Sequence, residues 1–252
     1  MLTKIMGEAG LELLILGIDT ATLACSVALL KGESLLAEYT LNIRKTHSER
    51  LMPLIDALLK ESAVEREALQ AVAVAAGPGS FTGVRIGVST ARALAQGLAV
   101  PAVGLSTLQA LAEAVALPGA LICPLLDARR SEIYSALYRR ESHPHRSLEL
   151  IIPPAAVELA PFVERLKTYG EAIVFTGEGL NTYGSYLGEA LGPLAVIMPE
   201  PLRNCSAARV ALCGSRLLAR SAAPSYHELL PIYLRRPEAE RRLEERKRRG
   251  AS

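Results

Sequence analysis

The chain has 252 residues, 50% of them hydrophobic, and its 28 Lys and Arg stand against 26 Asp and Glu for a net charge of +2. That length and apolar content can fill one large domain or two small lobes, while 4% aromatic residues and no Trp exclude a stacking platform for single-stranded nucleic acid. Four cysteines, Cys25, Cys123, Cys205 and Cys213, lack C-x-x-C spacing, which fits core packing in a reducing compartment better than a disulfide frame or zinc site.

The N-terminal stretch MLTKIMGEAGLELLILGID is broken by Glu8, Glu12 and Asp19, too short and too charged for a membrane span. No membrane partner and a cytoplasmic location are expected. Three strands open the fold, at 13–19, 24–32 and 34–41, with a hairpin corner at Lys31-Gly32-Glu33-Ser34. A helix follows over 46–62, with Thr46 and Glu49 as a capping box and Leu51, Leu54, Ile55, Leu58 and Leu59 on one stripe. Pro53 inside it either kinks the helix or marks a later start. Next come a buried strand at 71–76, a glycine turn, a second helix, a strand near 100–104 and a helix from Ser106 to about Ala116.

Pro118-Gly119 punctuates the chain, and a similar series begins after it. A shift of 108 lays LLILGIDTATLACSVALL on LICPLLDARRSEIYSALY, pairing Asp19 with Asp127, Ala28 with Ala136 and Leu29 with Leu137. Further on, AIVFTGEG at 172–179 repeats VAVAAGPG at 72–79. Two matches in the same order point to internal duplication. The expected α/β architecture is a first lobe over 12–117 and a second over 118–205, with a cleft between them and a helix over about 206–220 that can pack back on the first.

The segment GPGSFTGVRIGVSTARALAQG at 77–97 has the look of a phosphate cradle, but it fits no cradle template. It lacks the Gly-Lys of a P-loop, runs one residue too long for G-x-G-x-x-G, and has no G-x-S-x-G elbow. Two readings stand for the cleft. Asp19 with Thr20 could hold a cation-bound phosphate while backbone N–H groups beside Gly77, Gly79, Gly177 and Gly179 accept a nucleotide. Alternatively, those glycines only permit positive φ and Asp19 with Thr20 only caps a turn.

From Arg235 to Arg249 eight Arg or Lys face four Glu, and the basic tail over 237–252 reads either as an exposed, frayed helix or as a contact for RNA phosphates.

Together, ILGIDTATLACSVALL, GPGSFTGVRIGVSTARALAQGL, DARRSEIY, TGEG and PIYLR resemble the bacterial TsaB family of tRNA threonylcarbamoyladenosine (t6A) biosynthesis proteins, over about residues 15–235. The resemblance implies two ribonuclease-H-like lobes of the actin, Hsp70 and sugar-kinase superfamily. It also implies a non-catalytic subunit that binds and activates a catalytic paralogue, TsaD. That paralogue transfers threonylcarbamoyl to the adenosine beside the anticodon of tRNAs reading ANN codons. Implied partners are a second copy of the chain when alone, TsaD in a heterodimer, the P-loop ATPase TsaE in a ternary complex, and tRNA through the complex. No cofactor is expected to be tightly bound; ATP or ADP is placed at the shared interface. Thr107 and Leu111 stand where the catalytic paralogue carries two metal-binding imidazoles, so no metal site is expected.

Gly83 and Gly87 lie four apart on the second helix, and two interior glycines cost about 2 kcal/mol against alanine. Either they let the helix press on the chain's own sheet, or they let a helix of another subunit approach. The resemblance favours the latter, through the helices at 46–62 and after the glycine turn. The expected interface is Leu51, Leu54, Phe81, Gly83, Val84, Gly87, Val88 and Ala91, with Arg85 and Arg92 nearer its rim. On this reading Gly87→Leu blocks pairing and leaves the monomer folded.

Two other classes compete. An ATP-dependent small-molecule kinase would need Asp19 and Asp127 as cation site and base, but DTAT lacks a glycine for phosphate approach and DARR crowds the second aspartate. A peptidase would need His47, His143, His145 or His227 to meet Ser80 in space, since none falls in H-E-x-x-H.

Overall fold

The structure is a computed structural model that describes residues 13–43, 46–129, 131–141, 148–220 and 225–235. The N-terminal extension, His143, His145 and the basic tail lie outside the described residues.

The first lobe is a five-stranded sheet built from β1 (Leu14–Asp19), β2 (Cys25–Lys31), β3 (Ser34–Leu41), β4 (Ala71–Gly77) and β5 (Ala102–Ser106), in the order β3-β2-β1-β4-β5. The first three strands form an antiparallel meander, and β4 and β5 run parallel to β1. Every residue of β4 is buried, as a central parallel strand covered on both faces requires. Helices α1 (His47–Glu61), α2 (Phe81–Leu98) and α3 (Thr107–Ala112) complete the lobe.

The second lobe repeats the plan with β6 (Leu121–Arg129), β7 (Glu132–Arg140), β8 (Leu148–Glu158), β9 (Ile173–Thr176) and β10 (Ala195–Ile197), ordered β8-β7-β6-β9-β10. The same pairs are antiparallel and parallel. Helices α4 (Leu159–Lys167) and α5 (Leu180–Leu191) belong to it. The duplication read from two short matches is thus a duplication of the whole connectivity, two ribonuclease-H-like lobes.

Helix α6 (Ala207–Arg220) follows the second lobe in sequence but packs on the first sheet, where Ala207, Val210 and Ala211 join the core with Ile15, Val27 and Val72. Its start is held by the first lobe. Glu38 on β3 accepts from Ser206 Oγ at 2.7 Å and Ala208 N at 3.1 Å, and Ser26 Oγ accepts from Ala207 N at 3.0 Å. A carboxylate at the positive end of the helix dipole is a favourable cap.

Two local expectations are corrected. Thr46 precedes α1 but makes no side-chain cap bond, so the capping box does not form, and the helix runs unbroken through Pro53. Pro53 lies on the exposed side, where solvent can take the carbonyl it leaves unpaired. Helix α3 ends at Ala112 rather than near 116. The buried Arg140 explains this: its guanidinium donates to the Ala112 and Val115 carbonyls at 3.2 and 3.0 Å and pairs with Glu113 at 2.9 Å. A side chain has replaced the next helical turn.

Candidate functional site: the paired-helix face and the turn beneath it

The β1–β2 turn, residues 20–24, is the hub of the first lobe. Thr20 Oγ1 donates to the Gly83 carbonyl on α2 at 2.7 Å, the Ala21 carbonyl accepts from Ser80 N at 2.7 Å, and His47 Nε2 donates to the Thr22 carbonyl at 2.9 Å. Both helices therefore start on this turn. A Cβ at Gly83 would strike the Thr20 carbonyl oxygen, and one at Gly87 would strike Thr20 Oγ1 and sit 3.3 Å from Val74 Cγ2. The glycines of α2 admit the chain's own turn, not a foreign helix.

The residues of the expected interface divide by burial. Leu51, Gly83, Val84, Gly87, Val88 and Ala91 are all buried within this chain, and Leu54 is half-buried. Phe81 and Arg85 are exposed and Arg92 is half-buried. The outward face carries residues missed in sequence: Ser48 and Met52 on α1, and Ile86, Ser89 and Thr90 on α2, which with Leu51 and Arg85 line an open groove of about 360 Å³ between the helices. Helical periodicity contained the signal. Positions 83, 84, 87, 88, 91 and 95 form the small, apolar stripe that belongs inward, so 82, 85, 89 and 93 face out, with 86 and 90 half-buried at the margin.

The glycine turns are packed closely against the chain's own backbone. Cβ atoms at Gly77 and Gly79 would collide with the carbonyls of Ile232 and Ala21, and one at Gly177 with that of Leu125. Gly177 N–H donates to the Arg203 carbonyl and Gly179 N–H to the Leu125 carbonyl, both at 3.1 Å. Positive φ at Gly77 (118°) and Gly177 (99°) accounts for glycine there.

Asp19 and Asp127, equivalent in the duplication, differ in environment. Asp127 is exposed and accepts from Arg129 N at 2.7 Å and Tyr183 Oη at 3.4 Å. Asp19 and Thr20 are fully buried. Asp19 Oδ1 accepts from Ala21 N at 3.0 Å, and Oδ2 has no partner beyond the weakly donating Cys205 thiol beside it. Burial pushes the carboxyl up from 3.8 to about 6, against the lowering effect of the Ala21 N–H, the Cys205 thiol and Arg209. Glu178 of the second lobe, also raised by burial, accepts from Leu23 N across the cleft at 3.3 Å. The lobes thus meet where a nucleotide would enter.

Thr107 and Leu111 are buried, and Leu111 lies in an apolar cluster with Ile122, Leu126 and Ala136. A hydroxyl and an isobutyl group supply no imidazole. His47 and Ser80 both lie against Gly83, yet the imidazole Nε2 is taken by the Thr22 carbonyl, Nδ1 has no partner, and Ser80 Oγ accepts from Gly83 N.

A family model described as TsaD, tRNA N6-adenosine threonylcarbamoyltransferase, matches residues 34–243. The tRNA threonylcarbamoyladenosine biosynthesis protein TsaB of Bacillus subtilis is 34% identical over 226 residues, covering 90% of this chain and 96% of the relative. The protein of that name from Escherichia coli is 32% identical over 229 residues, covering 88% and 94%. The chain belongs to the TsaB family. In three dimensions it resembles YeaZ from Pseudomonas aeruginosa, at a TM-score of 0.71 and 29% identity over 88% of this chain and 100% of that one. A second structure from that organism, described as an uncharacterized protein with similarity to peptidase YEAZ, matches at 0.72 and the same identity and coverage. Against this TsaB-family fold, the PIYLR segment gains a place. Ile232 N donates to the Ala76 carbonyl at 2.6 Å, and Arg235 reaches the second lobe, donating to the Ala128 carbonyl at 3.0 Å and pairing with Glu132 at 2.7 Å. Among the described residues no helix is long and apolar enough to cross a membrane.

Proposed function

We propose that this TsaB-family chain is the non-catalytic subunit that binds and activates the catalytic paralogue TsaD in t6A formation on ANN-decoding tRNAs in the cytoplasm. The α1–α2 face is the docking surface; the chain pairs with itself through it when alone and exchanges that partner for the paralogue. The P-loop ATPase TsaE completes the assembly, ATP or ADP belongs at the shared interface, and tRNA is reached through the complex.

The observation that carries this reading is the open groove between α1 and α2, lined by Leu51, Met52 and Ile86. Small polar residues, Ser48, Ser89 and Thr90, leave room there for a partner's side chains. Specific interfaces need roughly 800 Å² per partner, and two helix faces of this length can supply that. The chain's own cleft supports no separate chemistry to the same degree, since the Gly177 and Gly179 N–H groups are taken by the chain's own carbonyls and Asp19 is fully buried.

Ser89→Arg tests the proposal. Ser89 is exposed, so the variant is expected to fold with a stability change within about 0.5 kcal/mol. Mixed with the paralogue from the same organism, it is expected to elute as separate subunits by light scattering after size exclusion, whereas the unaltered chain gives a one-to-one complex. A complex of unchanged mass and affinity with the variant overturns the assignment of this face.

A further inference from the structure

We propose that the docking surface does not end with α2 but continues onto the C-terminal strap, residues 229–235, where an aromatic and cationic cluster meets the same paralogous subunit. The inference rests on the reading of the α1–α2 face given above.

Of the three Phe in the chain, Phe162 and Phe175 are buried, whereas Phe81 at the start of α2 is 39% exposed. Its ring lies 5.3 Å from that of Tyr233 on the strap, itself 41% exposed. The Arg85 guanidinium stands 3.8 Å over the Phe81 ring and its Nε donates to Tyr233 Oη at 2.8 Å. Leu230 (64%) and Ile232 (37%) add exposed apolar surface on the same short segment. An exposed Phe, Tyr, Leu and Ile grouped around an arginine have the composition of an interface centre rather than of ordinary surface.

The strap holds this group in place from both ends. Leu229 is buried in the first-lobe core, Ile232 N is tied to Ala76, and Arg235 is anchored on β6 and β7. The side chains between these anchors are therefore presented with little remaining freedom, which lowers the ordering cost of binding. Continuity identifies the occupant. Arg85 lines the α1–α2 groove and also forms the cluster, so a subunit seated in the groove lies against Phe81 and Tyr233. Its contacting segment should be apolar with a carboxylate or carbonyl to meet the Arg85 guanidinium, whose terminal nitrogens have no partner among the described residues.

The test measures affinity of the full chain for the purified catalytic paralogue by calorimetry, for Tyr233→Ala and Leu230→Asp, with Ser89→Arg in parallel. Each strap variant is expected to weaken binding roughly 10- to 30-fold, the scale of an interface anchor. Leu230→Asp alters only a well-exposed side chain, so it stands as the reading if Tyr233→Ala disturbs the strap and lowers Tm. Unchanged affinity in both strap variants while Ser89→Arg abolishes binding overturns the extension and leaves the helix face standing. Unchanged affinity in all three overturns the face itself. Weakened self-association with undiminished affinity for the paralogue assigns the cluster to a second copy of the chain and overturns the occupant named here.

Discussion

Gly87→Leu is expected to cost the fold, not merely the pairing. An added side chain would start against Thr20 Oγ1 and Val74, both fully buried; Thr20 cannot withdraw without breaking its bond to the Gly83 carbonyl, and Val74 is held in the central strand β4. Overpacking of this kind costs roughly 3–5 kcal/mol where backbone cannot yield, a large share of the stability of a domain. Urea denaturation followed by circular dichroism checks it. Gly97 on the same helix is the control, because a Cβ there meets nothing within 4 Å. Gly97→Ala is expected to gain about 0.5–1 kcal/mol through helix propensity. A Gly87→Leu chain that unfolds at the normal urea concentration, yet no longer pairs, would mean that this side of α2 faces outward in solution.

Asp19→Asn is expected to stabilise the protein at neutral and alkaline pH and to remove a pH dependence. The folded carboxyl sits at about 6 against 3.8 in an ordinary setting, raised by burial. The unfolded chain therefore releases this proton first as pH rises. Below about pH 4 the group is protonated in both states and the penalty is absent; it grows between about pH 4 and 6 and is complete above. Two units of displacement correspond to about 3 kcal/mol. Asparagine retains the oxygen that accepts from Ala21 N and carries no charge. The stability difference between variant and parent should accordingly be about 3 kcal/mol larger at pH 8 than at pH 4. Because Arg209, Glu178 and Cys205 also act on Asp19, the measurement is a difference between two chains at each pH, which cancels their own titration to first order. A difference that stays flat from pH 4 to 8 would place Asp19 in contact with water.

Much of the architecture was legible because the core strands are nearly uninterrupted apolar runs. AVAVAA and LICPLL admit few other placements, and the hairpin at Gly32 is local chemistry. The end of α3 was not legible, since the group that takes its carbonyls, Arg140, comes 28 residues after Ala112. The same holds for the glycines of α2. Their spacing announces a close approach, but only the position of Thr20, 63 residues before Gly83, says which backbone approaches. Gly83, Val84, Gly87, Val88 and Ala91 turn inward, where their spacing alone left both readings of α2 open. The strap residues carried no local signal at all, because PIYLR has neither a helical nor a strand period and draws its meaning from Ala76, Phe81 and Glu132.

Helix α2 therefore has two sides under different constraints. One side is fixed by collision with the β1–β2 turn, and changes there are paid in stability. Thr82, Ser89 and Ala93 on the other side are exposed, so they can drift without unfolding the chain. Such a helix lets its outer surface be rewritten one substitution at a time while the scaffold is inherited intact.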